Sequence, residues 1–148
     1  MEYGVIEREM FVEATPEIVY EVVSRPEHLR QWWPDEAAYE PQAGAHGSIS
    51  FGDTVVGFAV VEARPPSTFS FRWTQPVGEP AVEGNSLVVT FELTPSGRGT
   101  LLKMTERGFR EMGWESDVLR EQYESHVSGW DFYLPRLAPY VATVQVPS

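Results

Sequence analysis

Apolar residues recur every three or four positions in the last third of the chain, between residues 115 and 141. This spacing places them on one face of a helix and leaves the charged residues on the other face. Pro135 lies within the stretch, and its missing amide and its ring predict a kink near Asp131 rather than a helix end. The predicted apolar face consists of Leu119, Tyr123, Val127, Trp130, Leu134, Leu137 and Val141. The pattern therefore predicts one long C-terminal helix.

In other parts of the chain, apolar and polar residues alternate with the period of two that is typical of half-buried strands. Residues 5–13 alternate in this way, and so do residues 68–75 and 86–94. Between residues 38 and 108 the strand-like runs are separated by short turns rich in glycine and proline, which favours an antiparallel meander.

Two short helices are predicted after the first strand. Thr15 and Pro16 supply an N-cap and a proline at the first helical position, and Pro26 begins a second helix that ends before Pro34. A strand, two helices, about six strands and a long final helix make an α+β fold, in which a curved sheet is closed by the helix. We expect residues 1–148 to form a single domain.

Composition excludes several classes of partner. The chain has 148 residues and a formal net charge of −11, with 22 acidic against 11 basic side chains. This charge repels nucleic-acid phosphates and anionic membrane surfaces, so neither is an expected partner. No run approaches the roughly 20 apolar residues of a membrane span, and the N-terminus lacks the pattern of a signal peptide. We expect a cytoplasmic monomer or homodimer.

The chain lacks the residue patterns that mark most catalytic and metal sites. The chain has no cysteine, which excludes disulfides, thiolate nucleophiles and cysteine-ligated metals. His28, His46 and His126 lie in different predicted elements, without the spacing of a metal site. Nucleophile motifs and phosphate-binding glycine loops are missing as well. The sequence thus predicts no metal, no cofactor and no recognisable catalytic motif.

Four motifs in a particular order suggest a family. They are Ala14-Thr15-Pro16 at a helix entry, a proline-led stretch over 26–33 that ends in two tryptophans, a strand pair containing Val61, Pro66, Phe71 and Trp73, and a terminal set of Gly129, Trp130, Leu134 and Leu137. With these motifs the chain resembles, over nearly its whole length, the homologues of the activator of the heat-shock protein 90 ATPase. That family belongs to the superfamily of START-like domains, which includes lipid-transfer domains and polyketide cyclases.

The resemblance implies a helix-grip fold. In this fold a seven-stranded curved antiparallel sheet wraps around the long C-terminal helix, two short helices follow the first strand, and a cavity often lies between sheet and helix. The inward faces then line both the core and the cavity. The residues expected to contact a ligand are Trp32, Trp33, Trp73, Met104, Glu106, Tyr123, His126 and Trp130.

Glu106 is the most informative polar residue of this set. It is in phase with Leu102 and Met104, which directs it toward the helix side of its strand. Arg8 is its expected partner if the first and last strands pair, as the resemblance implies, because buried charges are normally paired. Two alternatives stay open: the pair binds the polar head of a ligand, or Glu106 acts as a general base.

Three functions remain after these observations. The favoured one is a START-like domain that binds a small hydrophobic or aromatic molecule beneath the C-terminal helix. The second is a cofactor-free enzyme of the cyclase or hydrolase type that uses Glu106, His126 or Tyr123 as acid and base. The third is an interaction module that modulates a chaperone or regulatory protein through its acidic surface.

Overall fold

A computed structural model describes residues 3–74 and 79–144. Within these ranges the seven strands and the helices follow the predicted order, except that the single predicted C-terminal helix is divided into two α-helices, which gives four in all. The strands are β1 (Val5–Val12), β2 (Glu36–Ala38), β3 (His46–Phe51), β4 (Thr54–Arg64), β5 (Thr68–Thr74), β6 (Ser86–Ser96) and β7 (Gly99–Arg107). The helices are α1 (Pro16–Ser24), α2 (Pro26–Trp32), α3 (Ser116–Tyr133) and α4 (Leu137–Val144).

The seven strands form one antiparallel sheet in the order β1-β7-β6-β5-β4-β3-β2. The first and last strands in the chain are therefore neighbours, as a helix-grip fold requires. Their register places Ile6 opposite Glu106 and Arg8 opposite Met104. Alternating residues of the central strands face inward and are buried, including Phe71 on β5 and Phe91 on β6. The predicted helix-grip fold is confirmed.

The two short helices begin where the sequence predicts. The side chain of Thr15 accepts a hydrogen bond from the Ile18 amide, and Pro16 occupies the start of α1. Helix α2 starts at Pro26 and ends with Trp32, whose ring is fully buried. Trp33 lies just beyond the helix with φ −124° and ψ −90°, so the backbone departs from the helical path between two adjacent tryptophans.

The C-terminal helical segment continues across its proline. Helix α3 ends at Tyr133, a 3₁₀ turn spans Leu134–Arg136, and α4 follows directly. The Leu134 amide still donates to the Trp130 carbonyl, so the helical path is interrupted and not ended, as predicted. The C-terminal part of the predicted apolar face is buried, whereas Leu119, Tyr123 and Val127 are half-buried. Across the described ranges, each helix is too short or too polar to cross a membrane.

Candidate functional site

A fully buried carboxylate lies between the sheet and helix α3. Glu106, near the end of β7, is 0% exposed. Its Oε2 atom accepts a hydrogen bond of 2.7 Å from the Trp73 indole, and its Oε1 atom accepts one of 2.7 Å from the Trp130 indole. His126 Nδ1 lies 3.0 Å from the same Oε1 atom. A buried carboxylate is stable only when donors satisfy its oxygens, and here three nitrogens do so.

The three donors come from two elements, β5 and α3, that are far apart in the sequence. Trp73 lies on β5 and reaches Glu106 across β6, because β6 separates β5 from β7 in the sheet. His126 and Trp130 are four residues apart on α3, a spacing that places both side chains on one face of the helix. The Glu106 carboxylate therefore connects the sheet to the C-terminal helix.

The prediction that Arg8 pairs with Glu106 is wrong. The Arg8 guanidinium instead forms a two-point contact with Asp131 of α3, with Nε 2.8 Å from Oδ1 and Nη2 3.3 Å from Oδ2. A third nitrogen, Nη1, donates to the carbonyl oxygen of Glu7. Arg8 lies on the inner face of β1, as the alternation along the strand predicts. It is paired with Met104 at the edge of the sheet, where helix α3 places the Asp131 carboxylate next to it. The hydrogen bond from Arg8 lowers the pKa of Asp131.

A cavity of about 220 Å³ lies beside the Glu106 cluster. Its walls come from α3, from the end of α2 and from strands β3 and β5. The lining residues are Trp33, Phe51, Trp73, Ser125, His126, Gly129, Trp130 and Tyr133. The Trp33 ring centroid is 5.0 Å from both the Trp73 and the Trp130 centroids, so three indoles form a continuous wall. Among the described residues that line this cavity, only His126 has a side chain that is charged when protonated.

The structure brings four of the eight predicted site residues to this cavity: Trp33, Trp73, His126 and Trp130. Glu106 lies behind the wall and holds three of them. Trp32 and Met104 are fully buried in the core, and the Trp32 indole donates to the Val22 carbonyl. The Tyr123 hydroxyl donates to the Val5 carbonyl at the edge of the sheet, away from the cavity.

The other four lining residues were not predicted. Ser125, Gly129 and Tyr133 recur every fourth residue on α3, immediately beside the stripe of His126 and Trp130. That spacing is visible in the sequence, but two of the three residues are small or polar and do not extend an apolar pattern. Phe51, at the end of β3, belongs to the general set of aromatic residues, and its sequence position carries no further signal.

Other concave regions border the described part of the fold, and two of them are relevant to the site. A cleft of about 580 Å³ lies between α1 and the chain segments around Pro41 and Pro65. A smaller one of about 300 Å³ lies on the other side of Trp130, against Met10 and Leu102. In the part of the chain that the structure describes, no three His, Asp or Glu side chains come together in a way that could hold a metal ion.

Comparison with known proteins identifies the family of the chain and solved structures of similar fold. The sequence model of the family described as "Activator of Hsp90 ATPase homolog 1-like protein" matches residues 13–142. No curated protein matches the sequence significantly.

Solved structures of similar fold are numerous. Protein MLL2253 from Mesorhizobium loti is 23% identical, with a TM-score of 0.79 over 96% of this chain and 99% of that one. Protein BH1534 from Bacillus halodurans is 26% identical, with a TM-score of 0.71 over 93% of this chain and 96% of that one. The Aha1 dimer from Colwellia psychrerythraea is 17% identical, with a TM-score of 0.68 over 93% of this chain and 95% of that one.

Proposed function

The chain belongs to the Activator of Hsp90 ATPase homolog 1-like family, and we propose from this premise that it binds a small aromatic molecule with one polar group. The proposed site is the cavity of about 220 Å³ beneath helix α3. The observation that carries the proposal is the Glu106 cluster, which fixes one histidine in a wall made mainly of aromatic side chains. Ligand sites typically combine apolar walls with a few fixed polar groups.

The cavity volume sets the size of the ligand. An apolar cavity of about 150 Å³ is enough to bind benzene, and sites for drug-sized molecules span about 300–1,000 Å³. At about 220 Å³ the cavity lies between these cases. The ligand is therefore an aromatic molecule of one ring or two small fused rings with a short substituent.

The chemistry of the walls sets the ligand's polarity. Three indoles and the rings of Phe51 and Tyr133 offer aromatic faces and edges, which favour stacked or edge-to-face contacts with a ring. The Nδ1 atom of His126 is engaged by Glu106, so Nε2 is the ring nitrogen left for a ligand. A hydroxyl or amine on the ring supplies the matching donor, which makes phenols a suitable class of probe.

The proposal is tested first by native mass spectrometry of the purified protein, which detects any retained compound. It is then tested by titration with 4-methylphenol, followed through tryptophan fluorescence, because three tryptophans line the cavity. We expect saturable binding and a change in emission. Absence of both a retained compound and saturable binding would overturn the proposal.

A matched pair of variants locates the binding. A Cβ atom on Gly129 would meet no atom within 4 Å, and Gly129 lines the cavity. A leucine at this position therefore extends into the cavity, and Gly129→Leu should weaken 4-methylphenol binding at least tenfold. Ser128→Leu is the control, because Ser128 is exposed and does not line the cavity. Equal loss of binding in both variants would place the site elsewhere.

A further inference from the structure

We infer that His126 is a general base, and that the cavity promotes removal of a proton from a weakly acidic aromatic molecule bound in it. This inference rests on the proposed binding function and adds an activity to it. It is carried by the geometry of the Glu106–His126 pair at the wall of a cavity lined mainly by aromatic side chains.

The contact with Glu106 sets the tautomer of His126. A buried carboxylate oxygen accepts hydrogen bonds, so the 3.0 Å contact makes Nδ1 the donor to Glu106 Oε1. In the neutral imidazole this leaves the lone pair on Nε2. Across residues 3–74 and 79–144 the imidazole forms no other hydrogen bond. Nε2 is therefore available as a base at the cavity.

Two tryptophans hold the Glu106 carboxylate in a fixed position. Trp73 and Trp130 each donate to Glu106 at 2.7 Å, one to each oxygen. The carboxylate is thereby held in one orientation against the imidazole. A carboxylate fixed in this way orients a histidine and stabilises the imidazolium that forms when Nε2 takes a proton.

Glu106 itself is not placed to act as the base toward a bound molecule. It is 0% exposed, and both of its oxygens already accept hydrogen bonds from surrounding side chains. The His126 side chain, by contrast, is 10% exposed and lines the cavity. His126 is thus the group that meets a substrate, and Glu106 is a positioning residue.

The reaction class follows from what the site contains. A base alone supports a step in which a C–H bond breaks, its electron pair enters the substrate, and the proton moves to Nε2 and then to water. Elimination of 5-nitrobenzisoxazole is such a step: the C–H proton leaves, a nitrile forms, the N–O bond breaks, and its electron pair stays on the phenolate oxygen. The reaction consumes no oxidant, reductant or cofactor.

The test measures elimination of 5-nitrobenzisoxazole through the absorbance of the phenolate product, beside its binding through tryptophan fluorescence. We expect turnover above the buffer rate. His126→Ala should lower kcat about 100-fold, the range typical of a positioned base, and added imidazole should restore part of the rate. Glu106→Gln should lower kcat about tenfold with little change in KM.

His28→Gln is the matched control. His28 also pairs its Nδ1 atom with a side chain, the Tyr140 hydroxyl at 2.6 Å, but it lies on α2 away from the cavity. Its substitution should leave kcat unchanged. Circular dichroism of each variant separates loss of the base from loss of the fold, and rescue by imidazole requires a folded cavity.

Each outcome decides between the two proposals. Turnover that depends on His126 supports the inference. Binding of the probe without turnover above that of His126→Ala overturns the inference and leaves the binding function intact. A probe that neither binds nor reacts counts against both.

Discussion

Glu106 on the last strand and Trp130 on the C-terminal helix are joined by a hydrogen bond of 2.7 Å between two buried side chains. The bond connects the sheet to the helix at the boundary of the cavity. It therefore contributes both to stability and to the shape of the proposed site.

Glu106→Gln should destabilise the fold. The amide has the size of the carboxylate but carries no charge. It also places an NH₂ group where a carboxylate oxygen accepts a hydrogen bond from an indole or from His126. We expect the free energy of unfolding to fall by about 3 kcal/mol, as for other buried polar networks that lose one partner. Urea denaturation at neutral pH measures this change.

Glu7→Gln is the control for that measurement. Glu7 lies on β1 and contacts Lys103 at 3.5 Å, with both side chains substantially exposed. Exposed ion pairs contribute little, so the loss should stay below about 0.5 kcal/mol. Equal effects at positions 7 and 106 would contradict the importance of the buried cluster.

Trp130→Phe should remove one donor and leave most of the ring. The Glu106 Oε1 atom then retains only His126, and we expect a loss of about 2 kcal/mol in the free energy of unfolding. The same substitution in a Glu106→Gln background should cost less, because the two residues share one network. Additive effects would show that the hydrogen bond contributes little. Trp114→Phe, at a half-buried tryptophan with no hydrogen bond among the described residues, is the comparison.

The fold could be predicted because its signals are periodic. The alternation of apolar and polar residues with a period of two predicts that Glu106 lies on the inner face of the sheet. The recurrence of apolar residues every three or four positions predicts that Trp130 lies on the inner face of the helix. The same signals do not distinguish a residue that lines a cavity from one that is packed on all sides. Trp32 and Trp33 are adjacent in sequence and still differ in this respect, and the backbone leaves the helix at Trp33.

The partner of Arg8 could not be predicted for a different reason. The alternation of residues along a strand predicts which face of the sheet a side chain lies on. Its ion-pair partner depends on where helix α3 crosses the sheet. Asp131 is 123 residues from Arg8 in sequence, and only the final packing of α3 brings the two together. The three donors of Glu106 depend on the same packing.

The Arg8–Asp131 pair should make a small contribution that depends on pH. The hydrogen bond from Arg8 lowers the pKa of Asp131 below its ordinary value of 3.8. Its contribution is therefore fully present above pH 3.8 and is lost as the pH falls through the lowered pKa.

Asp131→Asn tests this relation by urea denaturation across the acid range. At pH 7 we expect a loss of only about 0.5 kcal/mol, because both side chains are partly exposed and solvent screens the pair. The difference from the unsubstituted protein should disappear at strongly acid pH. Glu124→Gln, at an exposed carboxylate of the same helix with no ion pair in the described residues, is the control for a charge-removing substitution on α3. A difference that persists in strong acid would contradict the assigned ion pair.

Gly129→Ala should stabilise the protein. Gly129 lies within α3, and a Cβ atom there meets nothing within 4 Å. Alanine is favoured over glycine inside a helix by about 0.5–1 kcal/mol, and thermal unfolding should show a higher midpoint. Gly113→Ala gives the opposite result for comparison, since Gly113 has φ +77° in a region that disfavours a Cβ. A lower midpoint for Gly129→Ala would mean that other atoms pack against Gly129 and leave no room for a Cβ atom.

Trp130 borders two concave regions at once, the cavity that contains His126 and the cleft that contains Met10. A smaller residue at this position would join the two spaces and admit a longer ligand. The same change would also remove a donor from the buried carboxylate. Ligand capacity and structural integrity are thus coupled through one side chain. A relative of this protein that accepts larger molecules would need either a new donor for its glutamate or an uncharged residue in its place.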